Sequence, residues 1–157
     1  MKRLLAFAAL TALLCATSSR LLAQSPSVGT WKLNVAKSKY IPGPAPKNMT
    51  RTVESAGDKV KYTFQGVAAD GSPVSYSFTV AYDGQDYPIT GKAAPAGADS
   101  ISITRSSDGS SEAVLKKSGK PVLISKVKAS DATSTTIIQT SAPGAGSTNN
   151  ILVYEKQ

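Results

Sequence analysis

The stretch that decides the fold is residues 59–84, "KVKYTFQGVAADGSPVSYSFTVAYDG". It holds two runs in which apolar and polar residues alternate, 59–65 and 74–82, with Asp70-Gly71 between them. Such alternation buries one face of a strand and leaves the other in water, which is typical of antiparallel sheets. Asp-Gly is a strong hairpin signal because glycine adopts a positive φ without steric cost. The stretch therefore predicts an antiparallel hairpin.

The same pattern continues along the chain, and no convincing helical period follows Ala23. Turn signals recur roughly every ten residues and separate runs with strand composition. The predicted strands lie near 28–34, 49–56, 59–67, 73–82, 86–90, 99–105, 111–117, 121–129, 133–141 and 149–156. Because every link is local, we predict an all-β, antiparallel, up-and-down barrel of about 8–10 strands rather than a Greek key. A barrel of that size can hold one small ligand.

The first residues have the composition of a secretory signal. Lys2 and Arg3 precede an apolar run of about a dozen residues, which is too short to span a bilayer. We predict a signal peptide at 1–23 and a single barrel domain at 24–157, secreted or periplasmic in a bacterium. We expect no transmembrane helix, because no later run is long and apolar enough.

Cys15 offers one alternative to a cleaved signal, because a lipidated cysteine would anchor the chain. Leu14 stands before it, where a small residue is expected, and Arg20 follows soon after. We therefore favour a cysteine that is discarded with the signal.

The predicted mature chain is modestly basic and has no cysteine. Loss of three basic residues with the signal lowers the formal net charge from +8 to +5. Without disulfides, hydrophobic burial must hold the fold together. The one dense group of basic residues either coats a solvated strand face or meets an anionic envelope polymer or lipid headgroup; nucleic acid is not expected after secretion. Its members are Lys116, Lys117, Lys120, Lys126 and Lys128.

The chain lacks the usual equipment of an enzyme. It contains no histidine, and its one cysteine lies in the signal. This removes the commonest general base, the thiol nucleophile and the best transition-metal ligands. Its aspartates all fall in predicted turns, where the side chain bonds nearby backbone amides. We therefore expect no catalysis, no cofactor and no metal site.

Aromatic residues carry the strongest functional signal. Those on the predicted inner face combine apolar rings with hydroxyl groups that need partners, so they either line a pocket or simply fill the core. Arg105 is a candidate contact at the rim. The predicted ligand-binding residues are Tyr62, Phe64, Tyr76, Phe78, Tyr82 and Arg105.

Two terminal motifs resemble the calycins, the group of barrels that includes lipocalins and fatty-acid-binding proteins. Gly29-x-Trp31 is similar to their first-strand signature, and 153–156, "VYEK", is similar to the closing strand of the fatty-acid-binding branch. The resemblance implies that Gly29 and Trp31 are structural residues at one barrel end. It also implies a late basic residue packed on the tryptophan, for which Lys126 and Lys128 are candidates.

The chain departs from the fatty-acid-binding pattern at two places. Residues 39–47, "KYIPGPAPK", stand where that branch has two lid helices, and three prolines there disfavour a helix. Leu152 stands where that branch has a carboxylate-binding arginine, which weighs against fatty-acid specificity.

A closer resemblance is to an uncharacterised set of small secreted bacterial proteins. It rests on 29–47, on 81–91, "AYDGQDYPITG", and on the terminal "VYEK". It implies a secreted lone domain and brings no established activity.

These observations predict a secreted, monomeric, calycin-like barrel that binds a small apolar or amphipathic ligand without catalysis. The alternative is an envelope-associated module whose basic face binds an anionic polymer or protein. A hollow barrel lined by the aromatic residues would favour the first, and a solid interior would favour the second.

Overall fold

The alternating runs form the wall of a barrel. The computed structural model describes residues 27–129 and 132–157, so the predicted signal at 1–23 and Cys15 lie outside the described residues. Eleven strands in this part of the chain form one antiparallel sheet. They are Gly29–Leu33 (β1), Asn48–Ala56 (β2), Lys59–Val67 (β3), Pro73–Val80 (β4), Tyr87–Pro88 (β5), Thr90–Lys92 (β6), Ser100–Arg105 (β7), Ser111–Lys117 (β8), Lys120–Ala129 (β9), Ser134–Ser141 (β10) and Asn149–Lys156 (β11).

The hairpin of β3 and β4 shows how local chemistry sets the register. The Ser72 amide donates to Asp70 Oδ1 at 2.8 Å, and Gly71 has a φ of 93°. This turn pairs Tyr62 with Phe78 across the two strands, so that their side chains lie on the same face. The predicted hairpin is therefore present.

Sequential neighbours pair around the wall, and β1 also pairs with β11. Residues 87–92 close the remaining seam, because β5 pairs with β7 and β6 pairs with β4. The amides of Gly84 and Ile89 add bonds to the carbonyls of Ile103 and Asp99, at 3.0 and 2.8 Å. The predicted up-and-down, all-β barrel is confirmed as a nearly closed barrel.

Two short strands replace the single strand predicted near 86–90. The chain has to change partner from β7 to β4 within six residues, 87–92, and one straight strand cannot pair with both. Pro88 contributes no amide hydrogen at the change of partner.

The proline-rich segment runs beside β11 and forms no helix. The Lys39 amide donates to the Ile151 carbonyl at 2.7 Å, and the Asn149 amide donates to the Ile41 carbonyl at 2.6 Å. Two short 3-10 turns, Val35–Lys37 and Pro95–Gly97, complete the described elements, none of which is a helix able to cross a membrane.

Inward side chains form two apolar clusters that share the barrel interior. The first lies on β4 and β7–β9 and includes Val74, Tyr76, Phe78, Val80, Ile101, Ile103, Leu115 and Leu123. The second lies on β1, β2, β10 and β11 and includes Trp31, Leu33, Val53, Ile137, Leu152 and Tyr154. Burial of these apolar surfaces is the main stabilising contribution in a domain without disulfides.

Candidate ligand-binding site

The barrel is hollow. A cavity of about 130 Å³ lies inside it, and nine of its strands, all except β5 and β6, contribute lining residues. The structure brings all six sequence-predicted contact residues to this cavity, together with Trp31. Their contact with a ligand stays a prediction.

Two aromatic pairs build one side of the cavity. The rings of Phe64 and Tyr76 stack with centroids 4.7 Å apart and planes 10° apart. Those of Tyr62 and Phe78 stack at 5.1 Å with an angle of 28°. The register of β3 and β4 places each pair directly opposite, and such offset stacking adds to the stabilisation from burial. The result is a flat apolar surface, here called the aromatic wall, that faces the cavity.

The cavity meets solvent near the turn between β7 and β8, where the lining residues Arg105 and Gly109 are exposed. The Arg105 guanidinium carbon lies 3.8 Å from the Tyr82 ring centroid, a cation–π contact. The hydroxyls of Tyr82 and Tyr62 lie 2.6 Å apart, within hydrogen-bond distance. Burial is the main cause that raises the pKa of Tyr62, so its phenol is neutral at physiological pH. A hydrogen-bonded tyrosine pair beside one exposed cation therefore borders the mouth.

Sequence reasoning missed the most unusual lining residue, Arg51 on β2. Its side chain is 4% exposed. Its guanidinium carbon lies 5.2 Å from the Trp31 ring centroid and 5.0 Å from that of Tyr154. The signal was present in the chain, because a period of two that includes Met49 and Val53 places Arg51 on the inner face.

Arg51 lacks the partners that a buried cation normally has. Its Nε is buried and has no hydrogen-bond partner among the described residues. Burial lowers the pKa of Arg51, and the nearby tyrosines oppose that shift. An arginine side chain nevertheless stays protonated in proteins, so the cavity contains a positive charge.

The described carboxylates lie elsewhere. All are exposed except the half-buried Glu155, which binds Lys37 Nζ at 2.8 Å. The other ion pairs in the described ranges join Lys61 to Glu54, Lys116 to Asp86 and Lys126 to Glu112. None of these pairs includes Arg51.

Trp31 is buried within the second cluster, only 1% exposed, and its Nε1 donates to the Ser27 carbonyl at 2.8 Å. Lys156 Nζ lies 5.4 Å from the Trp31 ring centroid. Gly29 has a φ of +134°, and a Cβ there would come within 2.8 Å of Lys156 Cε. The closing strand therefore packs across the Gly-x-Trp motif, and the positive φ favours glycine at the first position of that motif.

The expectation that Lys126 or Lys128 packs on the tryptophan was wrong. Both lysines are exposed, and Lys126 pairs with Glu112 at 3.6 Å. They lie on the outer face of β9, because the inner face of that strand carries Leu123, Ser125 and Val127. The cations that lie over the Trp31 ring are instead the Lys156 ammonium and the Arg51 guanidinium.

A few uncharged polar groups complete the lining. Ser125 and Thr135 are buried there, and Gln139 Nε2 donates to Ser125 Oγ at 3.4 Å. These groups can orient a ligand by hydrogen bonding. Across 27–129 and 132–157, no group of three metal-ligating side chains is close enough to hold a metal ion.

No protein-family model matches the chain, and no curated protein matches its sequence. Among solved structures, a variant of the fluorescent protein UnaG is 15% identical, with a TM-score of 0.52 over 84% of this chain and 96% of that one. A redesigned β-barrel, mFAP0, bound to DFHBI, is 11% identical, with a TM-score of 0.48 over 84% of this chain and all of that one.

At these identities the likeness concerns the fold alone. The order of the strands, the nearly closed wall and the UnaG likeness together define a calycin-like β-barrel. The resemblance found in the terminal motifs is thereby supported at the level of the fold.

Proposed function

We propose that the protein binds a small, partly apolar ligand in the barrel cavity and does so without catalysis. One observation carries this proposal: the barrel encloses a cavity of about 130 Å³ lined mainly by apolar and aromatic side chains, with a few polar groups among them. Small-molecule sites are typically concave and apolar with a few placed polar groups. The absence of histidine from the sequence supports a non-enzymatic role.

The size of the cavity limits what it encloses. An apolar cavity of about 150 Å³ accommodates benzene, so this one accommodates about one aromatic ring or a short aliphatic group. Any larger ligand extends towards the mouth at Arg105 and Tyr82. The aromatic wall offers a flat surface against which a ring stacks, and the tyrosine hydroxyls at the mouth offer hydrogen bonds.

The basic-face alternative has less support. Two of its five lysines, Lys116 and Lys126, form ion pairs with Asp86 and Glu112. Such pairs reduce the charge that this face presents to an anionic polymer. The hollow, aromatic-lined interior instead fits the first hypothesis.

The test is a titration with N-phenyl-1-naphthylamine, a neutral apolar dye that fluoresces strongly when it leaves water. The cavity can enclose its phenyl ring, and its naphthalene then extends towards the mouth. We expect saturable binding at one site. Ala113 lines the cavity and is 5% exposed, so Ala113→Phe places a ring in the space that the dye needs. We expect this variant to lose at least about tenfold in affinity, equivalent to about 1.4 kcal/mol.

Glu112→Phe is the matched control, because Glu112 precedes Ala113 on β8 and is exposed. It adds the same ring to the outside of the wall and should leave dye affinity unchanged. Circular dichroism verifies that both variants fold. Dye binding by wild-type protein that does not saturate, or equal affinity in a folded Ala113→Phe variant, would refute the proposal.

A further inference from the structure

Building on the proposed function, we propose that the ligand is an aromatic carboxylate whose ring lies against the aromatic wall and whose carboxylate binds the buried guanidinium of Arg51.

The first argument is the unbalanced charge. Arg51 is 4% exposed, and no carboxylate of the described residues pairs with it. Removing a cation from water is costly unless it is paired and hydrogen-bonded. The rings of Trp31 and Tyr154 recover part of that cost through cation–π contacts. These rings do not accept hydrogen bonds from the N–H groups, which point outwards in the plane of the guanidinium. Those donors therefore need an acceptor that a ligand can supply.

The second argument is the geometry of the guanidinium. Arginine presents its donors in a rigid planar fork that matches the two oxygens of a carboxylate. Nε and one terminal nitrogen form one edge of that fork. Arg51 lines the cavity and its buried Nε has no hydrogen-bond partner, so a carboxylate that meets the guanidinium from the cavity supplies acceptors that the described residues do not.

The third argument places the cation beside the aromatic wall. In the antiparallel register Arg51 lies opposite Phe64 of β3, and Phe64 stacks on Tyr76 of β4. All three residues line the cavity. One small molecule can therefore place a ring on the wall and an anionic group at Arg51.

Arg51 does not stand at the position where the fatty-acid-binding branch has its carboxylate-binding arginine. That position is Leu152 on β11, which lines the cavity as an apolar residue. Arg51 reaches the interior from β2, between Trp31 on one side and Phe64 on the other.

The test uses 3-phenylpropionate and 3-phenylpropanamide, two ligands that share ring and chain and differ in charge. Binding is followed by the fluorescence of Trp31, the only tryptophan of the chain and a direct contact of Arg51. We expect the carboxylate to bind wild-type protein at least tenfold more tightly than the amide. In Arg51→Met this preference should fall to twofold or less, while amide affinity persists.

Lys32→Met is the matched control. Lys32 follows Trp31 on β1, but its side chain is exposed on the outer face of the barrel. The variant removes one positive charge from the same region without touching the cavity. It should keep the full preference for the carboxylate, since an exposed charge acts only weakly through water.

The outcomes separate this inference from the proposed function. If amide and carboxylate bind wild-type protein equally, the inference fails and the proposed function stands. If neither ligand binds and the neutral dye is also rejected, both fail. If octanoate binds as tightly as 3-phenylpropionate, the aromatic part of the inference is wrong. The wild-type comparison decides the role of charge even if Arg51→Met does not fold.

Discussion

At the scale of single residues, Arg51 distinguishes this interior from an ordinary hydrophobic core. It lies on the inner face of β2 between Met49 and Val53, where an apolar side chain would continue the pattern. Its charge opposes folding because desolvation is only partly offset by the two neighbouring rings. The proposed binding of a ligand carboxylate would account for a charged residue at this position, whereas packing alone would not.

The stability of Arg51→Met tests this interpretation. Methionine is flexible and similar in length, and it removes the uncompensated charge. We expect the free energy of unfolding to stay unchanged or to rise by about 1–2 kcal/mol, in line with other replacements of buried charges by apolar side chains. Urea denaturation measures this change. A loss of more than about 2 kcal/mol would mean that the cation–π contacts hold the barrel together.

At the scale of elements, the seam formed by β5 and β6 decides whether the sheet closes. Gly91 on β6 lies opposite Tyr76 of β4 and has a φ of +106°. A Cβ at Gly91 would come within 2.8 Å of the Tyr76 Cα and would also strike the Ser75 backbone. Only glycine therefore allows β6 to pair closely with β4.

Gly91→Ala should open this seam. Positive-φ strain and the backbone clash add, so we expect a loss of about 3 kcal/mol in the free energy of unfolding. Faster hydrogen exchange at the β4 amides should accompany it. Gly57→Ala is the control, because Gly57 also has a positive φ, +68°, but no atom lies within 4 Å of the added Cβ. It should cost only about 1 kcal/mol, and equal losses in the two variants would contradict the clash.

At the scale of the whole molecule, the barrel encloses several neutral phenols. Burial is the first cause that raises the pKa of Tyr62, Tyr76 and Tyr154 above the ordinary value of 10.0. It also raises the pKa of the half-buried Tyr40 to about 12. In the unfolded chain these groups ionise near their ordinary value, so the folded state binds more protons at alkaline pH.

The barrel should therefore lose stability as pH rises. Below the ordinary tyrosine pKa both states are protonated and the contribution of the buried phenols is fully present. Above it the unfolded chain loses protons that the barrel retains, and unfolding becomes more favourable. We expect tyrosinate absorbance and loss of the circular dichroism signal to rise together. Tyr154→Phe should weaken this dependence. Ionisation of the buried tyrosines near pH 10 with the barrel intact would contradict it.

The local features of the barrel could be predicted from the sequence because they depend on neighbours in the chain. The alternation in 59–65 and 74–82 determined which side chains face inward, and Asp70-Gly71 determined where the hairpin turns. Tyr62, Phe64, Tyr76 and Phe78 were assigned to one face on that basis, and the structure places them along one cavity. The same alternation places Arg51 on the inner face of β2, in step with Val53.

The tertiary structure alone decided the rest. Three features depend on residues that are far apart in the chain. Residues 87–92 pair with two different strands, the interior is hollow, and Arg51 contacts aromatic rings instead of a carboxylate. Periodicity specifies which face of a strand is buried, but it does not specify how side chains from opposite walls fill the space between them. The empty volume and the net charge inside a barrel depend on the side chains of every strand together. They are therefore determined only when the sheet closes.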